Sequence, residues 1–93
     1  MTAQAIIQRA CAARGVALTW LLGGRRWASL SRLRREVMWL LRRLTSLSLQ
    51  EIARALRLRN HTSVIAGVRK VWAEVKAAPA YGEELLGLVA VAS

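Results

Sequence analysis

Apolar residues recur at intervals of three and four along almost the whole chain and never alternate with polar ones long enough to make a half-buried strand. That spacing lines them up on one side of a helix. With no Asn-Gly or Asp-Gly hairpin and few β-branched clusters, it predicts an all-α fold. The 93 residues suffice for one small domain and exclude a multidomain enzyme or a complete ATP-driven machine. The expectation is a single compact unit of about five to six helices over residues 1–93, with its core in 5–76 and a short C-terminal helix over 80–92. A hydrophobic content of 55% supplies the core such a unit needs.

The pattern predicts a first helix over 3–13, with Ile6, Ile7, Ala10 and Arg14 at helical spacing, stopped by Gly15 where a left-handed residue is often required. A short helical turn over 18–22 follows. Gly23 and Gly24 open a loop carrying Arg25, Arg26 and Trp27, which is expected to run to a helix cap at Ser31. The next helix, over 32–44, buries a stripe of Leu33, Val37, Leu40, Leu41 and Leu44. Ser48-Leu49-Gln50-Glu51 reads as a capping box, starting a helix that buries Leu49, Ile52, Ala53 and Leu56 and ends near Arg57. A fresh start at Asn60, itself a good cap, leads into a helix over 61–77 that buries Val64, Ile65, Val68, Val71, Trp72 and Val75 and is halted by Pro79. Trp20 and Trp39 are read as core, Trp27 as the anchor of its loop, and Cys11 as a small buried residue.

Charge narrows the function. Fifteen Lys and Arg against five Glu leave a formal +10, which calls for a polyanionic partner. The charge is concentrated: residues 25–44 hold seven Arg against Glu36 alone, whereas the stretch from 77 onward carries only Glu83 and Glu84. Two short helices joined by a tight turn, the second with a small polar start, outline a helix-turn-helix, whose second helix puts its first residues at DNA base edges. Here that start is Asn60, His61, Thr62 and Ser63. Asn can bridge adenine N6 and N7, Thr offers thymine a methyl group, Ser donates or accepts, and His donates or meets a methyl.

Arg59-Asn60-His61-Thr62-Ser63-Val64, preceded by Leu44-Thr45 and by Ser48-Leu49-Gln50-Glu51-Ile52-Ala53, resembles the C-terminal DNA-binding domain (domain IV) of the bacterial replication initiator DnaA. The family signature is close to Gly-Gly-Arg-Asp-His-Thr-Thr-Val after a Ser-Leu-x-Glu-Ile segment, and the likeness covers about residues 5–76. It implies a Trp-repressor-like helix-turn-helix that reads an asymmetric nine-base-pair box as a monomer. It further implies Arg26 as the minor-groove arginine, Asn60, His61, Thr62 and Ser63 as major-groove readers, and Arg35 and Arg42 against phosphate. Arg25, Ser48, Arg57 and Arg59 are expected to contact phosphate beside them. Two departures stand out: Arg57-Leu58 replaces the family's Gly-Gly, and Asn60 replaces an Asp, so a group that only accepts becomes one that also donates. The ATP-binding phosphate loop of the full initiator is absent from this chain.

The expected role is thus sequence-specific binding of double-stranded DNA in the cytoplasm, at the nucleoid, as a regulator of replication initiation or transcription. Enzyme chemistry is not expected: His61 has no second His, no Asp and no neighbouring Cys to work with, so neither a metal, a cofactor nor a small-molecule substrate is foreseen. A lone cysteine makes no internal disulfide, and no apolar run approaches the roughly 20 residues a bilayer requires. The rival reading is a basic amphipathic protein whose 32–44 helix or apolar tail meets anionic membrane or a protein partner, with Leu85, Leu86, Val89 and Val91 able to meet a second copy.

Overall fold

A computed structural model describes residues 1–23 and 27–90. Arg25 and Arg26 of the basic loop, with Gly24, and Val91 at the C-terminal end lie outside the described residues. The described chain forms α1 (Ala3–Arg14), α2 (Leu18–Leu22), α3 (Ala28–Leu44), α4 (Leu49–Ala55), α5 (Thr62–Ala77) and α6 (Pro79–Leu88), with no strand among the described residues.

α3 and α5 cross at the centre, and the other helices pack around them. Leu33, Val37, Leu40 and Leu41 of α3 are buried against Val64 and Val71 of α5, joined by Ile6 and Ala10 from α1, Ile52 from α4 and Leu85 from α6. Each large aliphatic chain so enclosed contributes about 1.5–3 kcal/mol. The crossing is close because α5 places Gly67 over Met38 and the stem of Arg35, where a Cβ would run into the methionine sulfur. This packing takes up the apolar face of α3, the one a membrane reading would have used. It also takes up Leu85 and Val89, so much of the C-terminal apolar surface is spent inside the monomer. No helix among the described residues is long and apolar enough to cross a membrane.

Several expectations are corrected. α3 begins three residues before Ser31, with Trp27 at its N-cap position: buried Leu30 and an edge-on contact between Trp27 and Trp20, 5.7 Å between ring centres, secure a first turn that has no side-chain cap. Trp20 is consequently 42% exposed, because a five-residue helix turns only Leu21 fully inward. Leu44 is also exposed, since Leu47 and Leu49, beyond the turn, close that end of the core. Trp72 stands on the flank of α5, next to the buried Val71, and is 44% exposed. α4 stops at Ala55, two residues early. Pro79 is the first residue of α6, where its missing N–H costs nothing, and that helix is assigned only to Leu88.

The acid among the arginines has a structural task. Glu36 is buried, accepts from the Arg14 guanidinium at 3.0 Å and the Tyr81 hydroxyl at 2.5 Å, and lies 3.7 Å from Arg32 Nε. These contacts tie α1, α3 and α6 together and compensate the cost of a buried carboxylate. Burial first, and then the bond to Glu36, push the Tyr81 phenol up to about 12. Burial likewise raises the Cys11 thiol, as suits an inert core residue.

Candidate nucleic-acid interface

α4 is started by a complete capping box: Ser48 Oγ accepts from the Glu51 amide at 3.1 Å, and the Ser48 amide donates to Glu51 Oε1 at 3.0 Å. The Ser48 amide first, and then the Ser48 side chain, by hydrogen-bonding to the exposed Glu51 carboxyl hold it below its ordinary value. At the other end the Arg57 amide donates to Arg54 O at 3.0 Å and the Leu58 amide to Ala53 O at 2.8 Å, the paired bonds of a Schellman motif. The motif needs a left-handed residue after its cap, and Arg57 supplies it at φ 57° despite its Cβ.

The chain then turns into α5. His61, not the expected Asn60, is the N-cap, with helical backbone and no side-chain cap; Asn60 lies one residue earlier, where its Oδ1 accepts from the Thr62 amide at 2.7 Å in a local turn that leads into the helix. Its carbonyl oxygen is thereby engaged, while its NH2 group points to no partner among the described residues. Asn60, Thr62 and Ser63 are exposed and His61 half-buried. The Thr62 and Ser63 hydroxyls hold no hydrogen bond among the described residues. Four polar residues at a helix start, turned outward on a buried platform of Val64 and Leu56, form an exposed polar edge where the sequence places its expected reading edge.

Two clefts flank this edge. One is lined by Gln50, Ala53 and Arg54 of α4 with Leu58, Arg59, Asn60 and His61. The other is lined by Leu21, Leu22, Ser31, Arg34, Leu56, Arg57, Leu58 and Ser63. Leu22 and Ser31 thus bring the chain on either side of residues 24–26 to the same cleft as Ser63 and Arg57.

The arginines divide by what they already hold. Arg9 donates to Val89 O, Arg34 to Leu21 O at 2.8 Å, and Arg14 and Arg32 engage Glu36, all structural uses. Arg35, Arg42, Arg54, Arg57 and Arg59 make no side-chain hydrogen bond or ion pair among the described residues. Of the expected phosphate residues, the structure brings Arg57 and Arg59 to the reading edge. It puts Arg35 beside Gly67, a turn further along α5, and sets Arg42 in a separate groove with Trp39, Arg43, Val68 and Trp72. Gln50 and Arg54, which line the first cleft, were not among the expected contacts. Their i, i+4 spacing on the face of α4 away from Ile52 was the available signal.

In comparison with known proteins, the family described as bacterial DnaA protein helix-turn-helix matches residues 3–71, from α1 to the middle of α5. No curated protein is matched.

Proposed function

Since the chain belongs to the bacterial DnaA helix-turn-helix family and DNA binding follows from that membership, we propose that it reads an asymmetric DnaA-box-like duplex as a monomer and so regulates replication initiation or transcription. In this reading Asn60, His61, Thr62 and Ser63 enter the major groove and Arg26 the adjacent minor groove. Arg25, Arg35, Arg42, Ser48, Arg57 and Arg59 hold phosphates on either side, and the positive start of α5 adds to their pull. One observation supports it above the others: the polar start of α5 is exposed, with the Thr62 and Ser63 hydroxyls holding no hydrogen bond among the described residues, between clefts bordered by Arg54, Arg57 and Arg59, which make no side-chain hydrogen bond or ion pair there. The role of Arg26 rests on the sequence resemblance.

Asn60 sets a specific expectation. With its oxygen given to the Thr62 amide, its remaining capacity is chiefly donation, which favours an acceptor such as adenine or guanine N7 over the cytosine amino group an Asp would prefer.

Fluorescence anisotropy with a box-containing duplex and its scrambled counterpart tests the proposal. The box should bind more tightly, affinity should fall steeply with salt, and Thr62→Ala or Arg26→Ala should each cost about 1–3 kcal/mol on the box alone. Equal affinity for both duplexes would reduce the function to non-specific binding, and unchanged affinity in both variants would overturn the assigned roles.

A further inference from the structure

Trp72 is 44% exposed in the second half of α5, beyond the family match, although an indole carries one of the largest apolar areas of any side chain. With Val68 it forms one wall of an open groove whose other wall is Trp39, Arg42 and Arg43 of α3. Cations surround the indoles: the Arg43 guanidinium lies 5.7 Å from the Trp39 ring centre and the Lys76 ammonium 5.3 Å from that of Trp72. Arg69 precedes Trp72 by three residues, on a neighbouring part of the helix surface. Among the described residues none of these cations is paired with a carboxylate, since every ion pair there involves Arg14 or Arg32.

We infer that this groove docks an acidic protein segment bearing an aromatic or branched aliphatic side chain. The apolar floor of Val68 and Trp72, backed by the buried edge of Trp39, takes that side chain, and the ring of cations, unpaired among the described residues, takes the flanking carboxylates. Charge complementarity decides the class of partner. A second copy of a +10 chain is repelled. A nucleic-acid strand stacks its bases on open ring faces, but Trp39 is only 4% exposed and Lys76 covers one face of Trp72. The groove is also clear of the reading edge: Val68 and Trp72 follow Ser63 by five and nine residues, about 8 and 14 Å along a helix. Only Arg42 is shared, as a phosphate contact and as a rim cation, so Val68, Trp72, Arg43 and Lys76 stay available to the partner when duplex is bound, and the inference does not depend on which duplex is read.

The test uses the whole ¹⁵N-labelled chain and a synthetic peptide of alternating Glu and Asp carrying one Trp and two Leu, with a control peptide having Ser at the apolar positions. The chain's four indole N–H signals report site by site. The first peptide should produce a saturable shift at Trp72 and Trp39, retained when unlabelled duplex is bound. The control should bind about tenfold more weakly, and so should Trp72→Ala toward the first peptide. Lys76→Glu, an exposed change in a preserved helix, gives the same reading should the tryptophan variant fail to fold. The inference is overturned by equal binding of the two peptides, by shifts spread evenly over the basic surface, by unchanged affinity in the variants, or by an oligothymidine strand producing the saturable shift in place of the peptide.

Discussion

Arg57 and Gly15 occupy the same place in the same helix ending, and only one of them is suited to it. After α1, the Gly15 amide donates to Ala12 O at 3.2 Å and the Val16 amide to Cys11 O at 2.9 Å, with Gly15 at φ 67°. After α4, the Arg57 and Leu58 amides repeat those bonds with Arg57 at φ 57°. No neighbour lies within 4 Å of a Cβ built on Gly15, so backbone conformation alone selects glycine there. A residue with a Cβ loses about 1–2 kcal/mol in the left-handed region, and the extra freedom of glycine in the unfolded chain returns about 0.5–1 kcal/mol of that. Arg57→Gly should therefore stabilise the domain by about 1 kcal/mol and raise Tm by about 4–8 °C, whereas Arg57→Ala, which keeps the Cβ, should not. On duplex DNA the two variants should weaken binding alike, each making the slope of log K against log salt shallower by about 0.9 for one lost phosphate contact. Thermal unfolding by circular dichroism and anisotropy over a salt series read both effects. A glycine variant melting no higher than the alanine variant would refute the strain, and unaltered binding in both would refute the contact.

Four further outcomes follow from the packing and the helix cap. Tyr81 is the chain's single tyrosine, so its absorbance titration is clean: a midpoint near 12 is expected in the native protein and about 10 in urea. Because the folded value is the higher, its contribution to stability is complete below about pH 10 and is lost as pH rises toward 12; a native midpoint near 10 would contradict the buried bond to Glu36. Ser48→Ala should cost about 1 kcal/mol, measured by urea unfolding. The lowered Glu51 carboxyl acts in the opposite sense to Tyr81, so the stability that its ionised form lends α4 is present above the ordinary carboxylate range near 4.3 and fades as pH falls through the folded value. Gly67→Ala should destabilise by about 1 kcal/mol, overpacking against Met38 outweighing the better helix propensity, and should be partly rescued by Met38→Val; a stabilised single variant would show that the methionine simply moves aside.

Much of this was legible because local chemistry and global packing agree. Gly15, the Ser48–Glu51 box and Pro79 act within a few residues of themselves, so the helix boundaries they set could be read directly. The start of α3 could not, because it depends on Trp27 meeting Trp20 across the intervening loop, and Ser31 is a good cap that tertiary packing leaves inside a helix. The tryptophans misled for a related reason: an apolar side chain at helical spacing reads as core, yet Trp20 and Trp72 lie at the margins of their stripes and keep over two-fifths of their surface exposed. Glu36 looked like a lone acid in a basic run, and only the arrival of Arg14 and Tyr81 from distant helices explains it. In the site, the polar start of α5 was plain from residue type, whereas the division of the arginines required knowing that Arg34 reaches Leu21 O while Arg57 and Arg59 make no side-chain hydrogen bond or ion pair among the described residues.

Selection of bound duplexes from a random pool, run side by side with the native chain and the Asn60→Asp variant, addresses the reading edge most directly. The native chain should enrich one asymmetric motif, and the variant should enrich a motif altered at a single position, toward a base offering an amino donor. Recovery of no motif, or of the same motif by both proteins, would contradict the assignment of the start of α5 to base recognition.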